Sequence, residues 1–232
     1  MALAGPGEPI TLSWHWSGGE RATLYHLLPS NQFGSDYWEV GPTGSLEYTI
    51  SPQRRNYDSF ALLVSDGQGV AARATLEVEL RCLDSWFFSP PPEICPYDEP
   101  LVGDGAEQHF QRGVMVWVGP EDRIYVLFDD GQNPYWYAYA DEWDEGEPSM
   151  DPTISAPSGL QQPVRGFGLV WREESGVRGR LGWAVDQEQG YRTALQRTSH
   201  YKYSILYIRA LDGGVWELET NWSGWGHLAT NP

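Results

Sequence analysis

Residues 59–80 read SFALLVSDGQGVAARATLEVEL, two apolar runs with Asp, Gly and Gln between them. In the second run Ala72, Ala74, Leu76, Val78 and Leu80 share one parity, and Arg73, Thr75, Glu77 and Glu79 share the other. Successive side chains of a strand point to opposite faces, so a period of two predicts a half-buried antiparallel strand. Working upstream, PITLSWHWS (9–17) alternates Ile10, Leu12, Trp14 and Trp16. ATLYHLLP (22–29), YWEVGP (37–42) and SLEYTIS (45–51) are further short runs. Six such runs, punctuated by Gly, Pro, Asn and Asp, predict a β-sandwich over 5–80.

Downstream, 81–107 reads as a connector rich in proline and acid. It contains both cysteines, in CLDSWFFSPPPEIC (82–95). A lone pair 13 positions apart, with no competing thiol, predicts a Cys82–Cys95 disulfide and hence an oxidising compartment. The alternative is two buried free thiols in a reducing one. Met1 is followed by ALAGPGEP, with neither a basic start nor an apolar core. An exported chain of this kind is therefore expected to begin inside a longer precursor.

The remainder, 108–228, reads as a duplicated β-hairpin module with minor helix. HFQRGVMVWV (109–118) and RIYVLFDDGQNPYWYAYADEW (123–143) form one copy. QPVRGFGLVWRE (162–173) and SILYIRALDGGVWELETNW (204–222) form the second. Each copy has Arg-Gly, an apolar run ending at Trp117 or Trp171, an Asp-Gly turn suited to a tight hairpin, and a terminal Trp143 or Trp222. Between the copies Asp186 is placed to cap a short helix carrying Tyr191, Ala194 and Leu195. The expected fold is thus mainly β throughout.

Composition narrows the function classes. The chain has 232 residues, about the length of two ordinary domains. With 41% hydrophobic and 14% aromatic residues, wholesale disorder is excluded. No apolar run approaches the ~18 residues a membrane-spanning helix needs. A net charge of -17 repels phosphate backbones, which argues against a nucleic-acid partner. The charge is uneven. Residues 96–151 carry 14 acids against two arginines, a net of -12, whereas 152–232 carry seven acids against eight basic residues, a net of +1. Arg165, Arg172, Arg178, Arg180 and Arg192 are expected to pair with acids of the first copy, or alternatively to hold an anionic ligand.

Eight of the 12 tryptophans lie in this second half. In YWYAY (135–139), Tyr135, Tyr137 and Tyr139 share one strand face and Trp136 with Ala138 the other, with alternate rings about 6.6 Å apart. Such a row suits the faces of successive sugars. Tyr135, Trp136, Tyr137, Tyr139, Trp183 and Trp225 are the candidate ligand-binding residues. Trp117, Trp143, Trp171 and Trp222, which recur between copies, are read as interior packing. Asp141, Asp144, Glu145, Glu147 and Asp151 in DEWDEGEPSMD (141–151) are candidate oxygen ligands for calcium, the one cofactor considered; the other reading is a solvated acidic loop. No catalytic residue is assigned. HExxH, GxSxG and a phosphate-binding glycine loop are absent, and with 32 acids in the chain carboxylate pairs carry no specificity.

Two resemblances bear on this reading. Residues 59–80 resemble the last two strands of bacterial immunoglobulin-like surface modules, which implies an immunoglobulin-like sandwich and an extracellular site. F-x-R-G-x-M-x-W (110–117), Leu181-Gly182-Trp183 and the strand-turn-strand units ending in Trp resemble LGFP-type cell-wall-associated repeats, and also uncharacterised modules of exported bacterial proteins. These resemblances imply non-catalytic recognition at a bacterial surface, with carbohydrate or cell-wall glycan as partner. The alternatives are a structural or adhesive protein–protein module and a glycoside hydrolase.

Overall fold

The computed structural model describes residues 3–200, 202–219, 221 and 223–230. Trp222, the expected end of the second copy, lies outside the described residues. The chain is mainly β, 45% strand and 8% helix, in antiparallel sheets, and divides into two compact units.

The first unit takes in the chain up to Ser85, Glu93–Tyr97, and residues 199, 200 and 202. Its strands are β1 (Pro9–His15), β2 (Arg21–Leu27), β3 (Phe33–Val40), β4 (Thr43–Thr49), β5 (Tyr57–Ser65) and β6 (Val70–Glu79). These are the six runs read from the sequence. β1 pairs with β4, and the other four lie in the order β3-β2-β5-β6. Leu12, Leu24 and Phe60 are buried between the sheets, packed by Ile10, Trp14, Trp38, Leu46 and Tyr48. The expected inward face of β6 needs correction. Val78 packs on this core, but Ala72 and Ala74 are exposed, Leu76 is 50% exposed and Val70 65%. β6 is an edge strand, and Ala72, Ala74 and Leu76 lie outside the buried cluster that the two-stranded sheet covers.

Asp58 is fully buried, with Arg54 Nε at 2.9 Å and His26 Nε2 at 2.8 Å. A carboxylate without water needs such partners, so the trio holds the bend before β5 against β2. The Cys82–Cys95 disulfide is present, with Cα atoms 5.4 Å apart. It ties Glu93–Tyr97 to the sandwich, where Asn56 Oδ1 accepts the Cys95 N–H at 2.7 Å.

The second unit comprises Trp86–Pro92, Asp98–Thr198 and the chain from Tyr203 onward. Its strands are β7 (Leu101–Phe110), β8 (Gly113–Val118), β9 (Arg123–Phe128), β10 (Trp136–Ala140), β11 (Gln189–Arg197), β12 (Leu206–Arg209), β13 (Val215–Leu218) and β14 (Trp225–Leu228). They form one antiparallel sheet in the order β10-β9-β8-β7-β11-β12-β13-β14. Two four-stranded meanders thus run outward from a central β7–β11 pair. Two indoles reach between the outer strands' ends: Trp136 Nε1 donates to Glu219 O and Trp225 Nε1 to Phe128 O, each at 2.9 Å. One face of the curled sheet buries Val116, Leu127, Leu195, Ile208, Trp216 and Leu218. The other buries Met115, Ile124 and Val126 beneath α1 (Arg165–Glu173) and α2 (Val177–Leu181).

The sheet thus holds two meanders, but their boundaries are not those expected for the two copies. GFGLVW (166–171), aligned by sequence with strand GVMVWV (113–118), is helical. Phe167, Val170 and Trp171 at spacings of three and four bury one helix face, whereas strand parity would have grouped Phe167, Leu169 and Trp171. The connector also ends earlier than 107, because β7 begins at Leu101 and its pairing with β8 and β11 is what orders it. The helix expected after Asp186 is strand β11. Thr193, Ala194, Leu195 and Gln196 are all buried, so a strand covered on both faces shows no alternation. The Asp-Gly turns stand as expected: Gly131 and Gly213 have positive φ between β9 and β10 and between β12 and β13.

Candidate functional site

Within the second unit, a cavity of 680 Å³ opens where the two meanders meet, on the face that carries α1. Trp117 near the end of β8 forms one wall. Trp143, just past β10, forms another. Asp122 and Asp141 lie side by side, because the Asp141 N–H donates to the Asp122 carbonyl at 3.1 Å. α1 presents its first turn here, and Gly166 is required: a Cβ would overlap the Asp141 carboxylate. Arg165 precedes it with φ +50°, a left-handed conformation unusual for a long side chain. Its N–H is fixed by Ser149 O at 2.8 Å. The β11 end contributes Glu188, Tyr191 and Arg192.

The charges in this cavity are partly paired. Arg165 Nη1 meets Glu188 Oε1 at 3.3 Å, and Arg192 Nη1 meets Asp104 Oδ1 at 2.8 Å. Asp122 and Asp141 have no arginine, lysine or histidine in ion-pair contact among the described residues. Burial holds the Asp141 carboxyl above the usual carboxylate range, opposed by the Trp143 N–H and reinforced by Asp122 and Asp144. Burial likewise raises Glu188, against the nearby Arg165 and with the charge of Asp141 adding to the rise. Burial also raises the Tyr191 hydroxyl, which donates to Arg209 O at 2.8 Å. Flat apolar walls beside carboxylates and guanidinium groups can stack on a sugar ring and bond its hydroxyls. A larger hollow of 780 Å³ in the first unit, around Trp16 and Gly18, is framed mostly by turns and offers a single aromatic ring.

None of the six aromatic residues singled out from the sequence lines the 680 Å³ cavity. Trp136 and Trp225 are committed to the bonds between strand ends. Trp183 stacks 5.1 Å from Trp171, with the Arg178 guanidinium over both rings. Tyr139 packs under the helices, Tyr135 is half-buried and accepts the Phe128 N–H at 2.8 Å, and Tyr137 is 39% exposed beside Tyr139. The parity of YWYAY is as read, but Trp136, Ala138 and Tyr139 pack against the two cores and leave Tyr137 as the exposed ring of β10. The five acids considered for calcium do not converge. Asp141 lines the cavity, Asp144, Glu145 and Glu147 are exposed, and Asp151 accepts from Thr153 within its own turn. Among the described residues no three His, Cys, Asp or Glu form a metal-holding group.

Trp117 and Trp143, assigned to the interior, are the rings that face the cavity. Their recurrence between copies spoke for packing, and Trp117 does also pack against the core beneath the helices. Arg192 was named for pairing with the first half's acids, and it does pair with Asp104; Arg180 does the same with Asp130. No family model, curated protein or solved structure matches the chain.

Proposed function

We propose that the second unit is a non-catalytic carbohydrate-recognition module of an exported protein, and that the cavity between its meanders is the binding site. The observation that carries this reading is the pairing of two indole walls with carboxylates and guanidinium groups in one 680 Å³ hollow. That volume accepts one or two sugar units. The disulfide supports export, since such bonds persist in oxidising compartments. No helix among the described residues is long and apolar enough to cross a membrane. The resemblance of 59–80 and 110–117 to bacterial surface modules supports a partner at a cell wall or a neighbouring surface polymer.

Titration with soluble oligosaccharides, followed by calorimetry and tryptophan fluorescence, tests the proposal. Binding is expected with no release of reducing ends, and Trp143→Ala should weaken it by about tenfold or more, the loss of one stacked ring. A folded protein that binds no glycan on a broad array would overturn the reading, and bond cleavage would replace it with a hydrolase. A second reading, a protein–protein module, is favoured by the exposed apolar face of β6 around Val70 and Leu76. Concentration-dependent association abolished by Leu76→Lys would support it.

A further inference from the structure

The charge left over in the cavity narrows the ligand class. Four carboxylates and two guanidinium groups line it, and two of the carboxylates are already paired, Glu188 with Arg165 and Asp104 with Arg192. Asp122 and Asp141 remain, joined through their backbones and flanked by the rings of Trp117 and Trp143. A neutral sugar entering here would strip water from two carboxylates and return only hydroxyl hydrogen bonds. An anionic sugar would face repulsion as well. An ammonium group offsets the desolvation: it donates three hydrogen bonds, pairs with carboxylate, and is attracted to the negative faces of indole rings. The surrounding stretch, with its net of -12, draws cations toward the site.

Building on the carbohydrate reading, we propose that the cavity selects sugars bearing a free amino group, with the ammonium held by Asp122 and Asp141 and the ring laid against Trp143 or Trp117. The charged groups around Asp141 are Asp122, Asp144 and Glu188, with Arg165 on Glu188. An ammonium against Asp141 favours its ionised form, so protonation and ligand compete, and affinity falls as acid enters the carboxylate range.

The test is a calorimetric comparison of three β-1,4-linked tetrasaccharides at physiological salt: glucosamine with free amines, its N-acetylated counterpart, and glucose. The amine form is expected to bind about tenfold tighter than the other two. Asp141→Asn should erase that advantage, bringing the amine form down to the affinity of the other two. The variant removes a charge that burial already disfavours, so its thermal unfolding should match or exceed that of the native chain. Glu147→Gln, an exposed acid outside the cavity, should leave the preference intact and so separates the site from the general negative field. Equal affinity for all three sugars, or tighter binding of the acetylated form, overturns the inference while carbohydrate recognition stands. Binding of none overturns both. Binding of a lysine tripeptide with the amino sugar silent overturns both in favour of a cationic peptide.

Discussion

Arg180 shows how single side chains hold the second unit together. Its guanidinium makes a two-pronged contact with Asp130 at 2.7 and 2.8 Å, donates to Gln132 O at 2.6 Å and lies 3.7 Å from the Phe128 ring. The pair is largely shielded, with 19% of the Arg180 side chain and 6% of Asp130 exposed. It links α2 to the β9–β10 turn. Arg180→Ala leaves a buried carboxylate unpaired, and should destabilise the unit by about 3 kcal/mol in chemical denaturation. Asp130 also sets an acid limit. The Arg180 hydrogen bonds hold its carboxyl at about 2, below the ordinary 3.8. The contribution is therefore full above the ordinary value and is lost as pH falls from there toward 2. Thermal melts of the native chain should drop across that window, and those of Asp130→Asn should drop less.

Among the elements, those that bury one face and end at clear turns were readable from the sequence, and the central ones were not. β1, β2 and β4 show apolar alternation because one side faces the sandwich core and the other is more exposed. RIYVLF in β9 and VWEL in β13 are strand-like apolar runs, and Asp130-Gly131 and Asp212-Gly213 mark their hairpins. β7 reads LVGDGAEQHF, with two glycines and a buried Glu107 that accepts the Trp216 indole N–H at 2.8 Å. Such a strand owes its order to neighbours on both sides, which no local pattern records. α1 was ambiguous because GFGLVW satisfies strand and helix spacing alike. The cavity was hidden for a related reason, since its lining comes from six separate stretches that only the sheet brings together. The disulfide was legible because two cysteines admit a single pairing. Replacing Cys82 and Cys95 by serine removes a short cross-link, and should cost about 3 kcal/mol. Chemical denaturation of the native and serine forms checks this.

In the protein as a whole, the two meanders leave the rings of Trp117 and Trp143 facing a charged hollow. Trp136, Trp171, Trp183, Trp216 and Trp225 have identifiable structural tasks. Trp171 donates to Gly182 O at 2.7 Å, Trp216 to Glu107, and Trp136 and Trp225 join the strand ends, while Trp183 stacks on Trp171. The indole N–H signals in a heteronuclear NMR titration with a glucosamine oligosaccharide therefore distinguish scaffold from site. Shifts confined to Trp117 and Trp143, with the signals of Trp136, Trp171, Trp216 and Trp225 unmoved, are the expected result. Shifts centred on Trp136 and the β10 tyrosines instead, or no shift at saturating sugar, would contradict the assignment of the cavity as the binding site.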